Sequence, residues 1–369
     1  MLSNSLFNSD SQNQKAGDNS TQLQISNLII GIDEKRAREI FNEMILLSRE
    51  GFSQEAIKEA NIRIEKLENR LLNKISQDIT KLSVFDDPDL QMSLVDAQKS
   101  ATRSERQSDY DLLSELLISR IDKGYNRNIK TGINRAIQVV NEITDEALLG
   151  ITVFHSASSF LPAVGNISQG LDLLDKLYGM LIYADLPLGD AWLDQLDVLN
   201  AIRINNLGDF KDLVDFYSER LPGYTSVGIG KNSEQHHGAT LLLQENNIPF
   251  NILVDHELIE GFVRLDIINR KRINELEIIS TDDRFHKILL TETQKNVLFE
   301  IYDTYNQDPN LKQQILNKFK ELYFLRPNLA KLHNWWSQFP YPFQITSVGK
   351  ALAHANSQRC DNTLPPLKL

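Results

Sequence analysis

The chain has 369 residues, 41% of them hydrophobic and 24% charged, with a formal net charge of −11 at pH 7. That length and composition suit a soluble protein of two or three domains with a sizeable core. The acidic balance argues against a surface coated with positive charge for nucleic acid, and a single cysteine, Cys360, excludes an intrachain disulfide framework or a zinc site built from several cysteines.

Met1 to Asp10 has neither a basic region nor an apolar core, so no secretory signal is expected and the expected compartment is the cytoplasm. Ser11 to Ile30 is polar, with turn chemistry at Gly17-Asp18-Asn19-Ser20, and then alternates through Leu23 and Ile25 before the apolar Leu28 and Ile30. A lone strand cannot pair its own backbone or bury its own apolar face. Residues 1–32 are therefore expected to be a flexible leader and an oligomerisation strand, with Leu23, Ile25, Leu28 and Ile30 as contact residues. The alternative is a disordered tail.

Residues 33–222 are expected to form a helical bundle. Ile40, Phe41, Met44 and Ile45 sit at helical spacing, and a long amphipathic helix runs from Ile57 through Leu82. Asp87-Pro88 opens another helix, polar and so exposed or bent between Lys99 and Asp109, that ends at Gly124. A further helix follows from Ile133 to Ile143. No charged residue lies between Glu146 and Asp172. A membrane helix needs roughly 20 predominantly apolar residues, but His155, four serines, Asn166, Gln169 and Pro162 dilute this run, so a buried helix from Ala147 to Phe160 is expected. Helices are then expected from Leu171 to Ala184, Asp190 to Ile204 and Asp209 to Leu221.

Residues 223–290 are expected to be a small mixed α/β element, with short strands at Phe250–Val254, Phe262–Leu265 and Ile273–Ile279. Residues 291–369 have the outline of a winged-helix-like module. A capping box at Thr291 and Gln294 opens its first helix, Asp308-Pro309 the second and Pro327 the third. A short strand, Phe343–Ile345, then leads into a last helix.

Motifs for chemistry fall short. Gly228-Ile229-Gly230-Lys231-Asn232-Ser233 fails the phosphate-loop pattern in either register. His256-Glu257-Leu258-Ile259-Glu260 places Glu260 where a zinc protease needs its second histidine, so His236, His237, His256 and Glu257 are weak metal candidates. Asp172, Asp175, Asp190, Asp194 and Asp197 fall at helix starts and solvated positions. Cys360 lies in a polar tail, and no catalytic residue or cofactor is expected. Arg326, Lys331, Asn334 and Lys350 are the candidate nucleic-acid contacts around the third helix of the module, with Trp335 and Trp336 in the core.

The segments QKAGDNSTQLQ and FQITSVGKALAHAN, with Asp87 to Gln91, Ala97 to Lys99 and Trp192 to Leu196 between them, resemble a family of uncharacterised bacterial proteins. These share a Gly-Asp-Asn-Ser element near one end and a Thr-Ser-Val-Gly segment near the other. The resemblance implies a setting among anti-phage and conflict genes and carries over no catalytic residue. The sequence thus points first to a self-assembling sensor or scaffold, a homo-oligomer with a possible protein partner from a neighbouring gene. The alternatives are a DNA-binding regulator and an effector that enters a membrane through residues 147–171.

Overall fold

The structure, a computed structural model, describes residues 33–75, 79–205, 208–279 and 287–367. The expected assembly strand, with Leu23, Ile25, Leu28 and Ile30, lies outside them.

The chain is mainly helical, with small antiparallel sheets. Its first half keeps the expected helices, except that the long helix expected to run through Leu82 ends at Ile75, with a tight helical turn at Ile79–Asp86 after it. Helices α1 (Glu34–Ser48) and α2 (Gln54–Ile75) are joined through Gly51, whose φ of +84° suits glycine. They bury Ile40, Phe41, Ile64, Leu67 and Leu71 against α3 (Pro88–Arg103) and α4 (Gln107–Lys123). Asp87 caps α3, with Pro88 at its first position.

The polar stretch between α3 and α4 does bend, at residues 104–106, but much of it is buried. Gln98 donates to the Phe41 carbonyl at 3.0 Å, Ser104 donates to Asp109, and Tyr110 donates to the Ser104 carbonyl at 2.7 Å. Each of these side chains finds at least one partner, which makes its burial tolerable, although Gln98 Oε1 and Asp109 Oδ1 are buried without one.

Helices α5 (Arg127–Val139), α6 (Asp145–Ser159) and α7 (Ile167–Leu181) complete the bundle with α8 (Ala191–Val198). The helix expected to continue to Ile204 stops earlier. Asn200 takes a φ of 57°, and Ile202–Ile204 becomes strand β1. After α9 (Leu213–Arg220) and α10 (Pro222–Thr225) comes the mixed element: β2 (Ile229–Gly230), α11 (Glu234–Glu245), β3 (Leu253–Asp255), β4 (Phe262–Leu265), β5 (Glu277–Ile279) and β6 (Lys287–Leu289). Its strands pair in the order β2-β4-β3, with β5-β6 as a separate hairpin. Tight helical turns at Phe250–Ile252 and Arg270–Glu275 occupy parts of two expected strands.

The last four helices are α12 (Glu292–Asp303), α13 (Pro309–Phe324), α14 (Pro327–Trp336) and α15 (Ser347–Cys360), with β7 (Phe343–Ile345) before α15. They do not pack together as a winged helix. Val297, Leu298 and Ile301 of α12 join Ile229, Leu243 and Val263 in the core of the mixed element. Helix α14 packs on α7, and α15 packs against α4, α5 and α6 inside the main core. Strand β7 pairs with β1, Ile202 opposite Ile345, instead of forming a wing. Helical spacing shows that a face is buried but does not name its partner.

The Thr346-Ser347-Val348-Gly349 segment accounts for that placement. Thr346 caps α15 and donates to the Asn200 carbonyl at 2.6 Å. A Cβ on Gly349 would overlap the Ala201 carbonyl, and one on Gly132 of α5 would come within 2.8 Å of the Ser347 side chain. Glycine at both positions lets α15 approach β1 and α5 closely.

Candidate functional site

Helix α6 carries the first part of the charge-free stretch, and four of its polar residues fall in one stripe. Thr152, His155, Ser156 and Ser159 are spaced by threes and fours, so they share a face. Helix α15 supplies the opposite side. Asn356 donates to Thr152 at 2.9 Å, the Ser156 and Ser357 hydroxyls lie 3.3 Å apart, and His155 Nε2 lies 3.4 Å from His354 Nδ1. All of these side chains except Ser159 are buried.

The hydrogen bonds order the two imidazoles. His354 Nε2 donates to the Pro365 carbonyl at 2.9 Å, which leaves its Nδ1 to accept from His155 Nε2. Burial first, and then the unfavourable neighbourhood of Lys350 and of a second imidazole that would compete for the proton, pushes the His155 imidazole down to about 3. Burial lowers His354 too, against the opposing pull of the Pro365 carbonyl. Both rings are neutral at neutral pH.

At its outer end the seam opens into a cavity of about 430 Å³. His155 and His354 line it with the Ser158 and Ser159 side chains, Arg220 from α9 and Lys350 from α15, and Pro365 to Leu367 close one side. Arg220 donates to the Ser158 carbonyl at 3.0 Å and rests over the Phe216 ring. Among the described residues neither Arg220 nor Lys350 forms an ion pair, and no carboxylate lines the cavity. In a chain of net charge −11 this is a local concentration of positive donors.

The arrangement suits binding an anion better than activating a nucleophile. Ser159 Oγ lies 3.2 Å from Nδ1 and 3.1 Å from Nε2 of the same His155 ring. An oxygen equidistant from both nitrogens faces the carbon between them and lines up with neither lone pair. With its basicity so depressed, His155 is also a poor general base at neutral pH. Two cationic side chains beside hydroxyls and imidazoles do fit an oxyanion.

The sequence candidates fall elsewhere. His256 uses both ring nitrogens within the fold: Nε2 donates to the Ser226 carbonyl at 2.8 Å and Nδ1 accepts from Leu258 N at 3.1 Å. Glu257 accepts from Ile167 N at 2.8 Å and Ser168 N at 3.1 Å, capping α7, and pairs with the fully buried Arg264 at 3.0 Å. His236 and His237 sit in the first turn of α11, and His236 Nδ1 accepts from Asn232 N. Among the described residues no group of histidine, cysteine and carboxylate side chains is arranged to hold a metal. At the Gly228–Ser233 turn, Asn232 has a φ of 64°, Ser233 caps α11, and Lys231 pairs with Asp255 at 2.7 Å.

The four nucleic-acid candidates are dispersed. Arg326 is buried and bonds to Asp172 at 3.0 Å and the Ser168 hydroxyl at 2.9 Å. Lys331 and Asn334 lie together on the exposed side of α14, whereas Lys350 belongs to the α6–α15 cavity. Trp335 and Trp336 are in the core as expected, donating to the carbonyls of Pro187 and Lys211. Asp175 is no surface acid, since it caps α14 through Asn328 N at 2.8 Å. Sequence reading missed His155, His354 and Arg220 as a group. The available signal was the threefold and fourfold spacing of polar residues inside a stretch without charge.

A protein-family model described only as “:-like” matches residues 31–365, and the chain belongs to that family. The matched region begins just after the Ser11–Ile30 stretch and takes in every cavity-lining residue named above except those beyond Pro365. No curated protein and no solved structure matches the chain.

Proposed function

We propose that this family member is a non-catalytic sensor and scaffold that reads a small anionic group in the α6–α15 cavity and assembles through residues 11–30. One observation carries the reading: Arg220, Lys350, His155 and His354 converge on a single cavity that no carboxylate of the described residues lines. Such a site gains from an oxyanion both Coulomb energy and charge-assisted hydrogen bonds. It is built on α15, which packs against α4, α5 and α6 in the main core, so occupancy bears on an element that ties the bundle together. Assembly through the N-terminal strand would turn weak single-site contacts into strong ones by avidity. The setting in bacterial anti-phage defence comes from the sequence resemblance alone.

Two measurements test it. Calorimetric titration with inorganic phosphate should show binding that the double variant Arg220→Gln, Lys350→Gln weakens at least tenfold; no binding by the unaltered protein refutes the sensor. Light scattering should give a lower subunit count for the chain lacking residues 1–30, and an equal count refutes the assembly strand. The DNA-binding alternative has less support, because Arg326 is buried and Lys350 faces a different cavity from Lys331 and Asn334.

A further inference from the structure

We infer that this cavity is the head-group half of a larger site whose ligand is a single-chain anionic amphiphile, an acidic head on an unbranched alkyl chain. The inference rests on the anion reading above and names the ligand class. A second cavity, of about 480 Å³, lies beside the first and shares Ser159, Phe160 and Pro365 with it. The chemistry changes across that shared wall. On one side are Lys350 and Arg220. On the other, α7 presents Leu173, Leu177 and Met180, spaced by four and three along one stripe, with Leu161 and Leu364 facing them.

This trough is open to water. Leu173 is 47% exposed, although it stands in the middle of a helix that otherwise buries its leucines. The charged groups at the trough's edge are Lys176 and Asp361, and Asp361 is already engaged by Thr363 N at 2.9 Å and the Thr363 hydroxyl at 2.6 Å. A free phosphate would use only the cationic cavity, and a neutral alcohol only the trough. A molecule with an anionic head and an alkyl chain covers both, lying across Phe160 and Pro365. Pocket shape and charge then select the same ligand: donors converge at one end and apolar surface lies at the other.

The test is calorimetric titration of the full-length protein with inorganic phosphate, 1-dodecanol and dodecyl phosphate, the last below its micelle-forming concentration. Dodecyl phosphate should bind roughly a hundredfold tighter than inorganic phosphate, as expected when a few methylenes leave water. Lys350→Gln should weaken both phosphates. Leu173→Glu should weaken dodecyl phosphate at least tenfold and leave inorganic phosphate unchanged. Both substitutions are at accessible positions, and melting by circular dichroism checks that each variant is folded. Equal affinity for the two phosphates overturns the amphiphile and leaves the anion sensor standing. Equal binding of dodecanol and dodecyl phosphate overturns the amphiphile, and no binding by any probe overturns both readings. Binding only to vesicles of acidic phospholipid, and not to the single-chain probe, overturns it in favour of a membrane surface.

Discussion

Acid should loosen this protein through His155. The ring is only 4% exposed and its folded-state pKa is pushed down to about 3, against 6.5 for an ordinary histidine. The unfolded chain therefore takes up a proton below pH 6.5 that the folded chain refuses until about pH 3. Stability is fully present above pH 6.5 and falls as the pH drops through that window. Each pH unit inside the window removes about 1.4 kcal/mol, so His155 alone costs about 2 kcal/mol between pH 7 and pH 5. Other groups contribute: His256 is held down to about 4 by burial and acts in the same direction. The contribution of His155 is isolated by comparing urea denaturation of the unaltered protein with His155→Gln at pH 7.5 and pH 5.0. Glutamine keeps a polar side chain in the seam but cannot titrate. The variant should lose about 2 kcal/mol less than the unaltered protein over this interval. If both lose the same amount, His155 is not held neutral in the seam and the donor order assigned to the two imidazoles is wrong.

Further outcomes follow from the packing. Gly349→Ala places a methyl group on the Ala201 carbonyl and should cost about 3 kcal/mol or more in thermal unfolding, whereas Gly189→Ala, where space is open, should cost less despite its φ of 73°. Glu257→Ala removes the acceptors of Ile167 N and Ser168 N at the start of α7 and leaves the buried Arg264 without its carboxylate. It should destabilise by about 3 kcal/mol, measured by denaturant titration. Arg326→Gln should lower the melting temperature by several degrees, on the order of 2 kcal/mol, and leave retention of duplex DNA at low salt unchanged. A loss of DNA retention without a change in stability would restore Arg326 as a surface contact.

What the sequence made legible was local. Asp87 and Asp308 each cap the helix that follows them, and the Thr291–Gln294 capping box is present, because a cap depends on a few neighbouring residues. The charge-free stretch was readable as a buried helix for the same reason. What depended on distant partners was not readable. Ile202–Ile204 continues a helical apolar pattern and becomes a strand only because Phe343–Ile345 lies beside it. The winged-helix outline at the C-terminus had the right elements in the right order, but α12 and α15 bury their apolar faces in different cores. The candidate site drew on α6, α9 and α15 together, and no spacing within one segment encodes that meeting. Thr-Ser-Val-Gly, which marked the family resemblance, proves to be the joint that seats α15 against β1 and α5.

The same seam bears on the membrane reading of residues 147–171. Among the described residues no helix is long and apolar enough to cross a membrane. Helix α6 has 15 residues and so spans about 22 Å, short of the roughly 30 Å of a hydrocarbon core. Entry would also require α6 to leave α15. Thr152, His155 and Ser156 would then lose Asn356, His354 and Ser357 as partners, and lipid offers no replacement. Each polar group left without a partner costs about 1–3 kcal/mol. Thr152 and Ser156 can fall back on carbonyls of their own helix, to which each already donates. His155 has no such reserve, since among the described residues its ring has beyond His354 a hydrogen-bond contact only with Ser159, poorly aligned. The histidine that makes this stretch costly in a membrane is therefore the one that joins it to α15 and to the cationic cavity. Much of Ala147 to Ala157 is buried between helices, where a charge would be costly, and Thr152, His155 and Ser156 are the polar residues there with partners across the α6–α15 interface.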